Sequence, residues 1–113
     1  MKLNEVIERL GLAVRTHAEQ GESEVTGGYV GDLLSDVIAN SQAGSVWVTI
    51  QVHPNIVAVA VLKDLAAIVL ANGRQPQDET MKKAEEEGVT LATSSLPGFE
   101  VAGRLYGMLK AEG

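Results

Sequence analysis

One stretch constrains this chain more than any other: HPNIVAVAVLKDLAAIVLANG, residues 53 to 73. It is almost wholly apolar and is broken once, by Lys63-Asp64. A membrane-spanning helix needs about 20 consecutive apolar residues. Here the runs Ile56 to Leu62 and Leu65 to Ala71 are too short, and a charged pair between them would sit in mid-bilayer at a cost of several kcal/mol. A hairpin of two strands fits poorly too. Lys-Asp contains no glycine, and neither residue readily takes the positive φ that a two-residue turn demands. Pro54 suits the first position of a helix, where its missing N–H is not needed. The stretch therefore predicts a helix over 54–65 followed by a buried strand over 66–71, ended by Asn72-Gly73. A helix apolar on all sides must be enclosed on most of them. This one should pack against a sheet and against something else, a second subunit being one candidate.

The rest of the chain repeats that alternation. Leu3, Val6, Ile7 and Leu10 share one helical face, and Gly11 closes the helix. Residues 12–17 read as a short strand. Residues 18–31 are irregular, with a short strand expected near Val25. Asp32 is positioned to cap a helix carrying Leu33, Leu34, Val37, Ile38 and Ser41 at helical spacing. SVWVTIQV, residues 45 to 52, reads as a strand with Val46, Val48, Ile50 and Val52 on one face and Trp47 and Thr49 on the other. Asp78 reads as the cap of DETMKKAEEEG, a surface helix with only Met81 and Ala84 turned inward, and Gly88 stops it. Residues 89–93 form a short strand. Phe99, Ala102, Leu105, Tyr106 and Leu109 give the last amphipathic helix its stripe. Strands separated by helices imply a single α/β domain over 1–113: a mostly parallel sheet with helices on both faces, three layers in the order αβα.

Composition narrows the function classes. At 113 residues and 45% hydrophobic content the chain can bury a core without staples, and aromatics at 4% leave that core to Val, Ile, Leu and Ala. With no cysteine there is no disulfide scaffold or thiolate chemistry, and the cytoplasm is the expected compartment. A net charge of −6 without a basic run argues against nucleic acid as a partner, and the membrane reading has already failed.

Three segments resemble the small DRTGG-domain proteins, which are related to the amino-terminal domain of HPr kinase/phosphorylase: VTGGYVGDLLSDV (25–37), VTIQVHPNIVAVAV (48–61) and FEVAGRL (99–105). The resemblance implies a compact α/β domain with a regulatory and dimerising role, one often attached to CBS pairs or phosphotransacetylase. Relatives often carry Asp-Arg ahead of Glu-Val-Thr-Gly-Gly, where this chain has Glu22-Ser23. Multidomain relatives tend to have Gly-Asp-Arg where it has His53-Pro54-Asn55. HPr kinase activity belongs to a different domain with a GxxxxGK[ST] phosphate loop, which this sequence lacks, so no kinase activity is expected.

Ligands of open parallel sheets bind beyond the carboxyl ends of the strands. That rule selects His17, His53 and Asn55, then Asn72, Gly73 and Arg74, then Thr93, Ser94 and Ser95. The helix opened by Pro54 and Asn55 would present free N–H groups to an anion, and Arg74 could add a charge for a phosphate or carboxylate. A nucleotide or another phosphate-bearing ligand would fit such a site. The same residues have structural readings: Asn72-Gly73 as a common turn, His53 and Ser94-Ser95 as helix caps. Thr26, Gly27 and Gly28 lie in a glycine-rich segment that could form a phosphate loop, although it lacks GxGxxG; the glycines could equally shape a backbone crossing with Tyr29 packed beneath it. A catalytic set of Ser94, His53 and Asp64 has no nucleophile-elbow pattern behind it. Two histidines, no cysteine and no HExxH spacing leave no metal site, and Asp32 and Asp36 read as complements to a helix dipole. No cofactor is implied. Gly103 and Gly107, four apart on the last helix, permit a close backbone approach. Two functions are expected: a non-catalytic regulatory module that forms a homodimer, or a sensor of a small anionic ligand at the strand ends.

Overall fold

A computed structural model of the protein describes residues 1–16 and 21–112. In chain order the elements are α1 (Leu3–Leu10), β1 (Ala13–Val14), β2 (Gly27–Val30), α2 (Leu34–Asn40), β3 (Ser45–Thr49), α3 (Asn55–Leu62), β4 (Ala67–Leu70), α4 (Asp78–Glu87), β5 (Leu91–Thr93) and α5 (Gly98–Glu112). The five strands form one sheet in the order β1-β5-β4-β3-β2. β2, β3, β4 and β5 are parallel, and β1 joins β5 antiparallel, so the sheet is mostly parallel as expected.

The alternation of side chains along the strands divides the core into two layers. Val46, Val48 and Val69 face Leu3, Val6 and Leu10 of α1 and Val101, Leu105 and Met108 of α5. Trp47, Ile68, Leu70 and Leu91 face Val37 of α2, Ile56, Val57 and Ala60 of α3, and Ala84 of α4. The three-layer αβα architecture is therefore present. All three helices that connect successive parallel strands lie on one face, as expected where strands are added in one direction through crossovers of one hand. Trp47 is fully buried, and its indole N–H donates to the Gly31 carbonyl at 2.8 Å, so the bulkiest core side chain also leaves no unpaired donor.

The opening stretch folds as helix then strand, with shorter bounds than expected. α3 ends at Leu62 because Asp64 takes φ 53, and the Asp64 carbonyl accepts from the Gly44 N–H at 2.8 Å, which turns the chain into β4. α3 packs between α2 and α4 and against the sheet. Its apolar character is thus largely met within one chain, leaving Val61 and Leu62 exposed. Three other expectations are corrected. β3 ends at Thr49, and Val52, freed from the strand's alternation, packs on the α3 side rather than with Val46 and Val48. α2 starts after Leu33 without a side-chain cap, because the Asp32 carboxylate bonds to β3 instead. Asp78 is the first residue of α4, and the cap position belongs to Gln77.

Candidate functional site

The parallel strands β3, β4 and β5 end along one rim, and several of the sequence-selected residues lie there. At the β3 exit, the His53 Nδ1 accepts from the Asn55 N–H at 3.0 Å, so the imidazole covers one of the free donors at the start of α3. Asn55 itself is exposed. At the β4 exit, Asn72 takes φ 65 and Gly73 φ 69. Their N–H groups donate to Leu96 and Ser94 carbonyls at 2.8 and 2.9 Å, which ties this turn to the loop after β5. The Ser94 hydroxyl accepts from the Leu96 N–H at 3.1 Å. Thr93 and Ser94 are buried, and Ser95 is exposed beside them. Arg74 is exposed and forms no ion pair among the described residues.

The structure thus brings Asn72, Gly73 and Ser94 together through backbone bonds and sets His53 and Asn55 on the same rim at the neighbouring strand. It does not bring Thr26, Gly27 and Gly28 there. Gly27 and Gly28 open β2 as strand rather than loop, paired with Ser45 and Val46 at the amino ends of the strands. The Thr26 hydroxyl donates to the Ala43 carbonyl at 2.8 Å. His17 lies outside the described residues. The parallel strands also run β2-β3-β4-β5 without a reversal of order, so the crevice that opens where strand order reverses has no counterpart between them. Only after β5 does the chain pass to the other face, into α5.

Two features escaped the sequence reading. Asp32 follows β2 and clasps the end of β3: its Oδ1 accepts from the Thr49 hydroxyl at 2.7 Å and the Ile50 N–H at 2.9 Å, and its carbonyl accepts from the Gln51 side chain at 3.0 Å. An N-cap and a strand-end clasp use the same residue types, so the sequence alone does not separate them. On the α2 side, the Tyr29 hydroxyl donates to the Asp36 carboxylate; that bond, with lesser contributions from desolvation and the carboxylate charge, raises the phenol pKa.

The second feature is an apolar groove of about 350 Å³ between the edge strand β2 and helix α5, lined by Gly28, Val30, Phe99, Gly103 and Tyr106 among others. The sequence stripe on α5 is corrected here. Val101, Leu105 and Met108 are the inward residues, while Phe99 is 93% exposed and Tyr106 65%. The helix has two adjacent apolar stripes: Leu105 and Leu109 of the expected one do meet the core, while Phe99 and Tyr106 at its outer edge do not. Two overlapping stripes on one helix, with Leu105 common to both, were the signal available in the sequence.

No family model matches the chain, and the search of curated proteins found no match. Among solved structures it is similar to the CBS and DRTGG domains of the regulatory region of Clostridium perfringens pyrophosphatase, crystallised with the activator diadenosine tetraphosphate. The TM-score is 0.68 at 15% identity, over 92% of this chain and 45% of that one, so this chain spans less than half of that neighbour. The likeness defines the class: an α/β fold of the kind found in that DRTGG-bearing regulatory region. No helix among the described residues is long and apolar enough to cross a membrane.

Proposed function

We propose that this chain is a non-catalytic regulatory module of the DRTGG type that works as a homodimer. The observation that carries this reading is the uncovered apolar face made by β2 and α5, where Val30, Phe99 and Tyr106 are all more than half exposed. Contiguous apolar surface of this kind, beside an open sheet edge, marks an interaction site. Two further points support it. The similar solved chain is itself a regulatory region. The residues that could have supplied a base or a nucleophile, His53 and Ser94, each accept a backbone N–H two residues on in the chain. The resemblance of residues 25–37 and 48–61 to the amino-terminal domain of HPr kinase/phosphorylase belongs to the same proposal. Light scattering at high micromolar concentration should give twice the 11.9 kDa of one chain; a strict monomer would remove the dimeric part of the reading.

One observation favours a second reading, a sensor of an anionic ligand at the strand exits. Arg74 is an exposed cation without an ion-pair partner among the described residues, and it follows directly on the left-handed Asn72-Gly73 turn. Asn55, Thr93 and Ser95 would supply hydrogen bonds around it. The activator of the similar regulatory region, diadenosine tetraphosphate, is a polyphosphate. A thermal-shift screen with nucleotides and sugar phosphates tests this, since a ligand at 100 times its Kd stabilises by about 2.7 kcal/mol. Arg74→Ala should abolish the shift. If none of these compounds stabilises the unaltered protein, the sensor reading fails.

A further inference from the structure

Resting on the homodimer reading and deepening it, we propose that the two copies meet through β2 and α5. The β2 strands pair antiparallel about a two-fold axis, joining two five-stranded sheets, and the α5 helices cross beside them at Gly103 and Gly107.

The edge comes first. β2 is the terminal strand of the sheet. The Gly31 N–H donates inward to the Val48 carbonyl at 3.2 Å, so alternation directs Tyr29 inward as well and turns the N–H and C=O groups of Gly28 and Val30 outward. Natural edges are normally guarded by charge, proline, a bulge or extreme shortness. The segment VTGGYVG, residues 25–31, has no charge and no proline, and β2 pairs with β3 in unbroken register. The opposite edge is guarded: β1 is two residues long and is followed by Arg15, whose guanidinium donates to the Gln75 side chain. The open side of the sheet is therefore β2.

Beside that edge, on the α5 face, the groove supplies the side-chain contact. A helical glycine costs roughly 0.5–1 kcal/mol relative to alanine. Beyond its own helical turn, a Cβ at Gly103 or Gly107 would meet no atom of the described residues within 4 Å, so their packing makes no use of the small size. A second helix crossing there would use it. Of the charges nearby, Arg104 pairs with Glu100 at 3.1 Å, and the Lys110 ammonium lies 5.9 Å from the centre of the Tyr106 ring. The Arg104–Glu100 pair thus adds no net charge to this surface, although each copy carries a formal charge of −6.

The area is adequate. With each large aromatic able to bury 150–250 Å², Phe99, Tyr106, Val30 and the groove walls offer on the order of 500 Å² per protomer, near the roughly 1,000 Å² total of a specific interface. A second copy is the occupant these features fit. An antiparallel strand pair is self-complementary under a two-fold axis, and the contact closes at two chains rather than growing into a filament.

The test compares the unaltered protein, Phe99→Glu and Leu62→Glu by light scattering over a concentration series, with amide hydrogen exchange on the unaltered chain. Phe99 and Leu62 are both exposed, at 93% and 67%, so each variant should keep the parent's circular dichroism. The expected result is a dimer for the unaltered chain and Leu62→Glu, and at least tenfold weaker association for Phe99→Glu. Exchange at Gly28 and Val30 should slow as concentration rises, while Tyr29 and Gly31 stay protected throughout. A dimer that tolerates Phe99→Glu, or one that leaves Gly28 and Val30 exchanging freely, overturns this interface and leaves the homodimer reading intact. A monomeric parent chain removes both.

Discussion

At the scale of single residues, Gly28 shows how one position sets the distance between a strand and a helix. A Cβ built on Gly28 would lie 2.9 Å from Leu105 Cδ2, so the absence of a side chain is what lets Leu105 seat against β2. That methyl group is the end of a flexible side chain, and Gly28→Ala should be close to neutral, because glycine within a strand is itself weakening. Gly28→Val adds two further carbons against a packed face and should cost about 1–3 kcal/mol, read as a lower urea midpoint with unchanged slope. Equal stability of the valine variant would show that α5 is not held against β2 in this way. The sequence showed that VTGGYVGD lacks the GxGxxG pattern, and a backbone crossing was the alternative reading of its glycines. The partner, Leu105, lies 77 positions away and is invisible to any local pattern. Asp32 presents the same difficulty: its acceptors serve Thr49 and Ile50 across the strand ends, whereas local sequence offered only the helix that follows.

At the scale of elements, the readings that succeeded were those in which a periodic signal and a terminator agreed. Gly11 and Gly88 close α1 and α4 in the left-handed conformation, at φ 64 and 69, at the positions where the apolar pattern stops. The alternation in SVWVT placed Val46 and Val48 opposite Trp47, and the two core layers follow it. Where the signal was uniform, the bounds drifted. α3 is apolar throughout, so its pattern marks neither a face nor a final turn, and its end is set by the left-handed Asp64 that reverses the chain. α5 was read correctly as a helix, with Leu105 and Leu109 inward, but its stripe was set too far round for a different reason. Its apolar positions fall in two stripes, and a stripe built from Phe99 and Tyr106 has the right spacing for burial but the wrong azimuth. The choice between them depends on where β2 and β3 lie, which is tertiary information. The candidate rim was legible as a set of strand exits. The way Asn72 and Gly73 bond to the loop after β5 was not, because those bonds join residues more than 20 apart.

For the whole molecule, the order β1-β5-β4-β3-β2 means that each parallel strand lies beside its neighbour in sequence, whereas β1 must find a partner almost 80 residues downstream. The Arg15 N–H reaches the Leu91 carbonyl at 2.7 Å, and the Thr16 hydroxyl donates to the Val89 carbonyl at 3.1 Å, so this long-range pairing extends two residues past β1. Loop closure over that separation must be accomplished before any of these bonds can form. Pulse-labelled exchange during refolding should therefore protect the amides of Trp47 and Val69 before that of Arg15; simultaneous protection would show that the sheet is assembled in a single step. On that order of events β1 is among the last elements to be placed, and until β5 has been made the sheet has an uncovered margin on each side. The guarded end of the finished sheet would then begin as bare as the other, and the later docking of β1 would leave β2 as the open edge.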